Sequence, residues 1–168
     1  MRYVIKQKFI SFTDQFKIRN DSGDPVFQVK GKLISLGDQL SFQNMDGDEL
    51  AKIKQELISI TPSYRVYRDG TLQADVEKKL LTLLKDKFKV KMKDGSPDLE
   101  ISGSILDHDY TITRDGRQVA QISKAWVSIG DSYGIDIAGG EDDILLLACV
   151  IIVDMISHDP KKKVDPVD

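Results

Sequence analysis

Residues 144 to 153 read Ile-Leu-Leu-Leu-Ala-Cys-Val-Ile-Ile-Val, without one polar side chain. A helix on the surface of a globular protein has an apolar stripe and a polar face. This segment has no polar face to give to water, so it must be enclosed on every side. Asp154 interrupts the run, and Met155 and Ile156 resume it. Glu141, Asp142 and Asp143 precede it, where the positive end of a helix dipole favours negative charge, and Pro160 marks a stop. The pattern predicts a helix over about residues 142–158. The thirteen residues from Ile144 to Ile156 span about 20 Å as a helix, against a hydrocarbon core of about 30 Å. The helix is therefore read as a buried core element and not as a membrane span.

Upstream the chain repeats itself. Lys6-Gln-Lys-Phe-Ile-Ser-Phe-Thr-Asp14 recurs as Lys30-Gly-Lys-Leu-Ile-Ser-Leu-Gly-Asp38 and as Lys54-Gln-Glu-Leu-Ile-Ser-Ile-Thr-Pro62, with starts 24 residues apart. A weaker copy begins at Lys78, a degenerate one near Ser102, and a good one at Ser123. Between the copies stand Ser22-Gly23, Asp46-Gly47, Asp69-Gly70, Asp94-Gly95 and Asp115-Gly116. A fixed period of this size means one supersecondary unit used many times.

The unit is a β-hairpin. Apolar residues alternate before each turn (Leu40 and Phe42, Tyr64 and Val66, Phe88, Val90 and Met92) and after it (Ala51 and Ile53, Ala74 and Val76, Leu99 and Ile101). Period two marks a strand, and Asp-Gly supplies the positive-φ residues of a tight hairpin turn. The count reaches about twelve strands. These strands have one apolar face and no partner sheet, while the helix has no partner helix. A closed antiparallel barrel wrapped around the C-terminal helix satisfies both and leaves no strand edge exposed. Ala51, Ala74 and Ala120 occupy matching repeat positions and are expected to make room for the helix. One domain is expected over residues 1–158, followed by an exposed polar tail at 159–168.

Charge is mixed, 24 basic against 27 acidic residues for a net −3, so there is no global reason to expect a nucleic-acid binder. The single cysteine, Cys149, allows no internal disulfide. The first residues contain no apolar run of signal-peptide length, which leads to the expectation of a soluble cytoplasmic protein without a transmembrane segment. Asn20-Asp21-Ser22 fits a glycosylation sequon, and in that setting reads as a turn.

Chemistry-bearing residues are few. His108, in Leu106-Asp-His-Asp-Tyr110, reads as an ordinary loop residue, because a metal site would need two further ligands at proper spacing. His158 near a helix C-terminus suits the dipole. Cys149 inside the apolar run is expected to be an inert buried thiol. Glu141, Asp142 and Asp143, with Asp131 and Asp136, read as helix N-terminal charge in preference to a cation-holding mouth. Asp154 is anomalous, since the last turn of a helix disfavours an anion. Either it emerges at the barrel mouth or it pairs with an inward Lys or Arg, and the first is the expectation. No phosphate loop, nucleotide fingerprint or nucleophile elbow is present, so no enzyme, cofactor or metal is expected.

One patch invites a ligand. From Lys85 to Lys93 lysines alternate with Phe88, Val90 and Met92, which places Lys87, Lys89, Lys91 and Lys93 together on the outer face. Four like charges on one strand face repel and call for counter-charge. Acidic cross-strand neighbours such as Glu77 and Glu100 would supply it and leave a solvated face. Anionic headgroups of a membrane would supply it otherwise, at about 1 kcal/mol per Lys. Nucleic acid fits less well, because no aromatic residues interleave on that face.

Several stretches together resemble the LURP-one-related family of the tubby-like superfamily, which also holds the phospholipid scramblases. They are Tyr3-Val-Ile-Lys-Gln-Lys-Phe9, Val29 to Asp38, Ala120 to Trp126, and Gly130-Asp-Ser-Tyr-Gly-Ile-Asp-Ile137 running into Glu141-Asp-Asp-Ile144. The resemblance covers about residues 2–157. It implies a twelve-stranded barrel around a C-terminal hydrophobic helix, in agreement with the repeat and the helix. Tubby domains bind phosphoinositides, but no tubby headgroup motif maps residue by residue onto this chain and no site is carried over. The resulting expectation is a non-enzymatic binding module for an anionic phospholipid or a membrane-associated partner, peripheral to the membrane in that case. The alternative is a structural or protein-partner-binding protein without lipid activity.

Overall fold

Alternating runs become strands wherever a tight turn separates them. A computed structural model describes residues 1–6, 15–32, 37, 39–57, 61–79, 86–127 and 132–158. The strands are β1 (Arg2–Lys6), β2 (Gln15–Asn20), β3 (Pro25–Lys32), β4 (Gln39–Asn44), β5 (Glu49–Gln55), β6 (Ser63–Arg68), β7 (Thr71–Lys79), β8 (Asp86–Met92), β9 (Leu99–Ser104), β10 (Asp109–Arg114), β11 (Arg117–Ser123) and β12 (Ser132–Ile137). One helix follows, α1 (Asp143–His158). Much of the repeated Lys-x-Lys-Leu-Ile-Ser segments, together with Asp131 and the tail at 159–168, lies outside the described residues.

Each strand runs antiparallel to its neighbour, and β12 returns to β1 through Tyr3↔Ile135 and Ile5↔Tyr133, which closes a twelve-stranded barrel. The hairpin turns explain why the chain reverses where it does. At Asp69-Gly70 and Asp115-Gly116 both residues have positive φ (48° and 76°, 50° and 75°), the requirement of a two-residue turn matched to strand twist. Four hairpins slip register shortly before or after the turn, at Ile18/Arg19, Phe42/Gln43, Val66/Tyr67 and Ile112/Thr113. Such bulges raise local twist and help a sheet curl onto itself.

The inward faces of all the strands and the whole middle of α1 form one core. From Leu146 to Val153 every side chain of the helix is sealed from solvent. The helix packs most closely against β5, β6 and β7. Two of the three expected small residues, Ala51 on β5 and Ala74 on β7, lie on those strands, where a missing side chain lets the helix approach. Ala120 is buried on β11, away from that contact.

The acidic residues before the helix are its N-terminal charge. Asp142 caps it, its side chain accepting from the Leu145 amide at 3.2 Å and its carbonyl accepting from the Leu146 amide at 3.1 Å. The acids also tie the helix to three separated strands. Asp142 accepts from Arg68 of β6 at 2.5 Å, Asp143 accepts from the Tyr3 hydroxyl of β1 at 2.5 Å, and Glu141 accepts from Arg114 of β10 at 2.5 Å. Asp136 pairs instead with Arg2 at 3.6 Å, on the outer face.

Val150 is fully buried at mid-helix. Val150→Asp places an unpaired charge there, and a loss of more than about 4 kcal/mol is expected, a large share of the roughly 5–15 kcal/mol that holds a typical domain folded. Circular dichroism melting checks this, and an unchanged melting temperature would contradict a helix enclosed by the barrel.

Candidate functional site

Strand alternation brings the four expected lysines to one surface. Phe88 and Val90 are buried, Met92 packs at the core margin, and Lys87, Lys89 and Lys91 project outward from β8. Lys93 follows the last residue of the strand, its amide donating to the Gln73 carbonyl at 2.9 Å. Register then decides their partners. Lys91 meets Glu77 at 3.1 Å, Lys93 meets Asp75 at 3.3 Å, and Lys89 meets Asp98 at 3.8 Å. The acidic neighbours are therefore real, with Glu77 among them, while Glu100 stands across from Lys89 in the ladder without an ion pair to it. Lys87 differs: it faces Lys79 across β7 and Ser102 across β9. Among the described residues neither Lys79 nor Lys87 has a carboxylate partner, and both are exposed.

Inside the barrel a second cluster gathers residues that the sequence scatters. His108 follows β9 in a turn closed by its amide on the Ile105 carbonyl at 3.0 Å, and adopts φ 50°. That left-handed conformation carries the imidazole inward, between exposed Leu106 and Asp109, until it is fully buried. Its Nε2 lies 2.9 Å from Oδ1 of Asp154, and its ring stacks on Tyr133 with centroids 4.2 Å apart. The Tyr133 hydroxyl donates a short hydrogen bond to the other carboxylate oxygen of Asp154. Tyr110 lies near enough that the Asp154 charge acts on its phenol.

Two expectations are overturned here. His108 is not an ordinary solvated loop residue. Asp154 does not emerge at the barrel mouth: it is 1 % exposed, and among the described residues an imidazole and a phenol hold it. Periodicity could not show this, because it records whether a residue is polar and not which polar group it meets. One signal was available: a carboxylate inside an apolar helix requires a buried donor, and the chain has only two histidines.

The electrostatics make the cluster a lock. Burial first, then the Asp154 charge, pushes the Tyr133 phenol well above its ordinary value, so it keeps its proton and donates. Burial pushes the Tyr110 phenol up as well. The Cys149 thiol, one turn and more before Asp154, is pushed up to about 12 by burial, which removes the thiolate needed for nucleophilic chemistry. Among the described residues no three His, Cys, Asp or Glu side chains gather as a metal site, and no helix is long and apolar enough to cross a membrane.

Comparison with known proteins agrees with this architecture. The sequence model of the LURP-one-related family matches residues 1–154. The Bacillus subtilis (strain 168) protein YxjI, described as uncharacterized, is 35% identical over 155 residues, which is 92% of either chain. The X-ray structure of an Arabidopsis thaliana protein superimposes with a TM-score of 0.68 at 17% identity, covering 93% of this chain and 90% of that one. At that identity the likeness is one of fold.

Removing the shared acceptor of a buried hydrogen-bonded cluster leaves its partners unsatisfied. Asp154→Ala takes that acceptor from His108 and Tyr133 and is expected to cost about 2–5 kcal/mol of stability. Tyr133→Phe, which deletes one donor, is expected to cost about 1–3 kcal/mol. The double variant should lose less than the sum, since both remove the same interaction. Urea denaturation measures all three, and an Asp154→Ala protein as stable as a surface variant would contradict the lock.

Proposed function

Because the chain belongs to the LURP-one-related family, whose helix takes up the inside of the barrel, we propose that it is a non-catalytic binding module that works with its outer surface, and that the β7–β8 face receives anionic phospholipid headgroups. The observation that carries this is the cross-strand pair of like charges, Lys79 opposite Lys87. Like charges directly opposite destabilise a sheet. An anion between them would relieve that repulsion.

The energetics shift the centre of the face. A lysine near an anionic membrane contributes about 1 kcal/mol, while an exposed ion pair is worth about 0–1 kcal/mol. Lys89, Lys91 and Lys93 must exchange carboxylates for phosphates and gain little. Lys79 and Lys87 give up no such partner, so they carry most of the attraction. The three ion pairs favour a second reading in which the mixed surface docks a protein partner, with charged side chains on both sides.

Vesicles separate the two. Wild-type protein is expected to bind phosphatidylglycerol vesicles at low salt, to release them as ionic strength rises, and to ignore neutral vesicles. Lys79→Glu with Lys87→Glu is expected to abolish binding with little change in melting temperature, whereas Lys91→Glu with Lys93→Glu weakens it less. Wild-type protein that ignores anionic vesicles at low salt would overturn the lipid reading and leave the protein-partner one.

A further inference from the structure

Among the described residues the barrel is least tightly laced between its first two strands. β1 and β2 pair, among the described residues, only at Tyr3↔Asn20 and Val4↔Arg19. Every other neighbouring pair of strands is registered over four positions or more. Outside this seam lies a cleft of about 580 Å³. Alternation decides what lines it. Tyr3, Ile5, Phe16 and Ile18 point into the core, so Val4 and Lys6 of β1 and Lys17 and Arg19 of β2 stand on the outer side.

An aromatic wall completes it. Trp126 and Val127 come from the segment after β11 and border the cleft. The indole rests on Gly134 of β12, where a Cβ would stand 3.1 Å from the indole Cε3, so a glycine is what allows the ring to lie against the strand. Gly134 faces Val4 across the β1–β12 ladder, and Arg2 covers the indole at 4.7 Å. The ring is thus in contact with both β12 and Arg2 of β1.

We propose that this cleft binds a single-chain anionic amphiphile, with its hydrocarbon against Trp126, Val127 and Val4 and its phosphate or carboxylate head among Lys17, Arg19 and Lys6. The volume falls within the roughly 300–1,000 Å³ typical of small-molecule sites. Among the described residues the lining carries Lys6, Lys17 and Arg19 against one carboxylate, Asp21, in a protein of net charge −3. Arg19 is already fixed by donating to the Gly23 carbonyl at 2.8 Å, which lowers the ordering cost of meeting a ligand head. The cleft and the β7–β8 lysines are separated by half the circumference of the barrel. The two sites are independent, and either can fail without the other.

Trp126 is the only tryptophan in the protein, so its emission reports on the cleft alone. Dodecyl phosphate, titrated below its micelle concentration, is expected to shift that emission saturably and to give a matching calorimetric isotherm. Dodecanol is expected to bind about ten-fold more weakly or worse, and inorganic phosphate to leave the emission unchanged. Lys17→Glu with Arg19→Glu should weaken dodecyl phosphate about ten-fold or more, while Lys79→Glu with Lys87→Glu should leave it unaffected. If the cleft double variant melts early through loss of the Arg19–Gly23 contact, Lys17→Gln alone must still weaken binding at unchanged melting temperature. Equal binding of dodecanol would overturn the proposal, as would an equal shift with inorganic phosphate, or no saturable change at all. A shift produced by phosphatidylglycerol vesicles but not by monomeric dodecyl phosphate would overturn it in favour of a membrane surface.

Discussion

Ten consecutive apolar side chains on a helix have no direction in which to meet water, and strands with one apolar face have no second sheet to cover it. Each of these problems is the other's solution. The helix needs apolar surface on all sides, which only a closed wall supplies. The wall needs a filler of about its own height, which a four-turn helix supplies. Bulges that curl the hairpins, alanines where the helix approaches, and closure of β12 on β1 all follow from that mutual dependence.

The two ends of the helix are secured by different chemistry. At the N-terminus three acids lie where the dipole welcomes them, and each reaches a different strand through an arginine or a tyrosine. Near the C-terminus Asp154 opposes the dipole, and a buried imidazole and phenol offset the penalty. The first set acts at the rim, where pairs are partly solvated and individually weak. The second acts in the sealed interior, where its loss leaves a charge with nowhere to go. Asp154 adds to the three N-terminal acids a second point that fixes the helix in register and rotation.

The barrel was legible in the sequence because its determinants are local. Leu40 and Phe42, or Tyr64 and Val66, declare their face by alternation, and Asp69-Gly70 declares its turn by backbone conformation. The helix was legible because composition alone forbids exposing it. His108 was not legible, since its meaning depends on a residue 46 positions away that only the closed barrel brings near. The lysine face was half legible. Alternation put Lys87, Lys89 and Lys91 outside, but strand register chose Asp98, Glu77 and Asp75 as partners and left Lys87 opposite Lys79. The seam cleft had no signature in the sequence, because it arises where pairing between β1 and β2 stops.

The core is filled by its own helix, and the whole account rests on that helix being inside. Cys149, at the middle of α1 and sealed from solvent, is a native probe of it. Thiol labelling should be measured against denaturant concentration and compared with global unfolding followed by circular dichroism. If the barrel encloses the helix, Cys149 reacts only through global unfolding, and labelling and denaturation give the same free energy. A thiol that reacts in native buffer much faster than that equilibrium allows would show the helix leaving a barrel that stays folded, and would contradict the mutual dependence of the two.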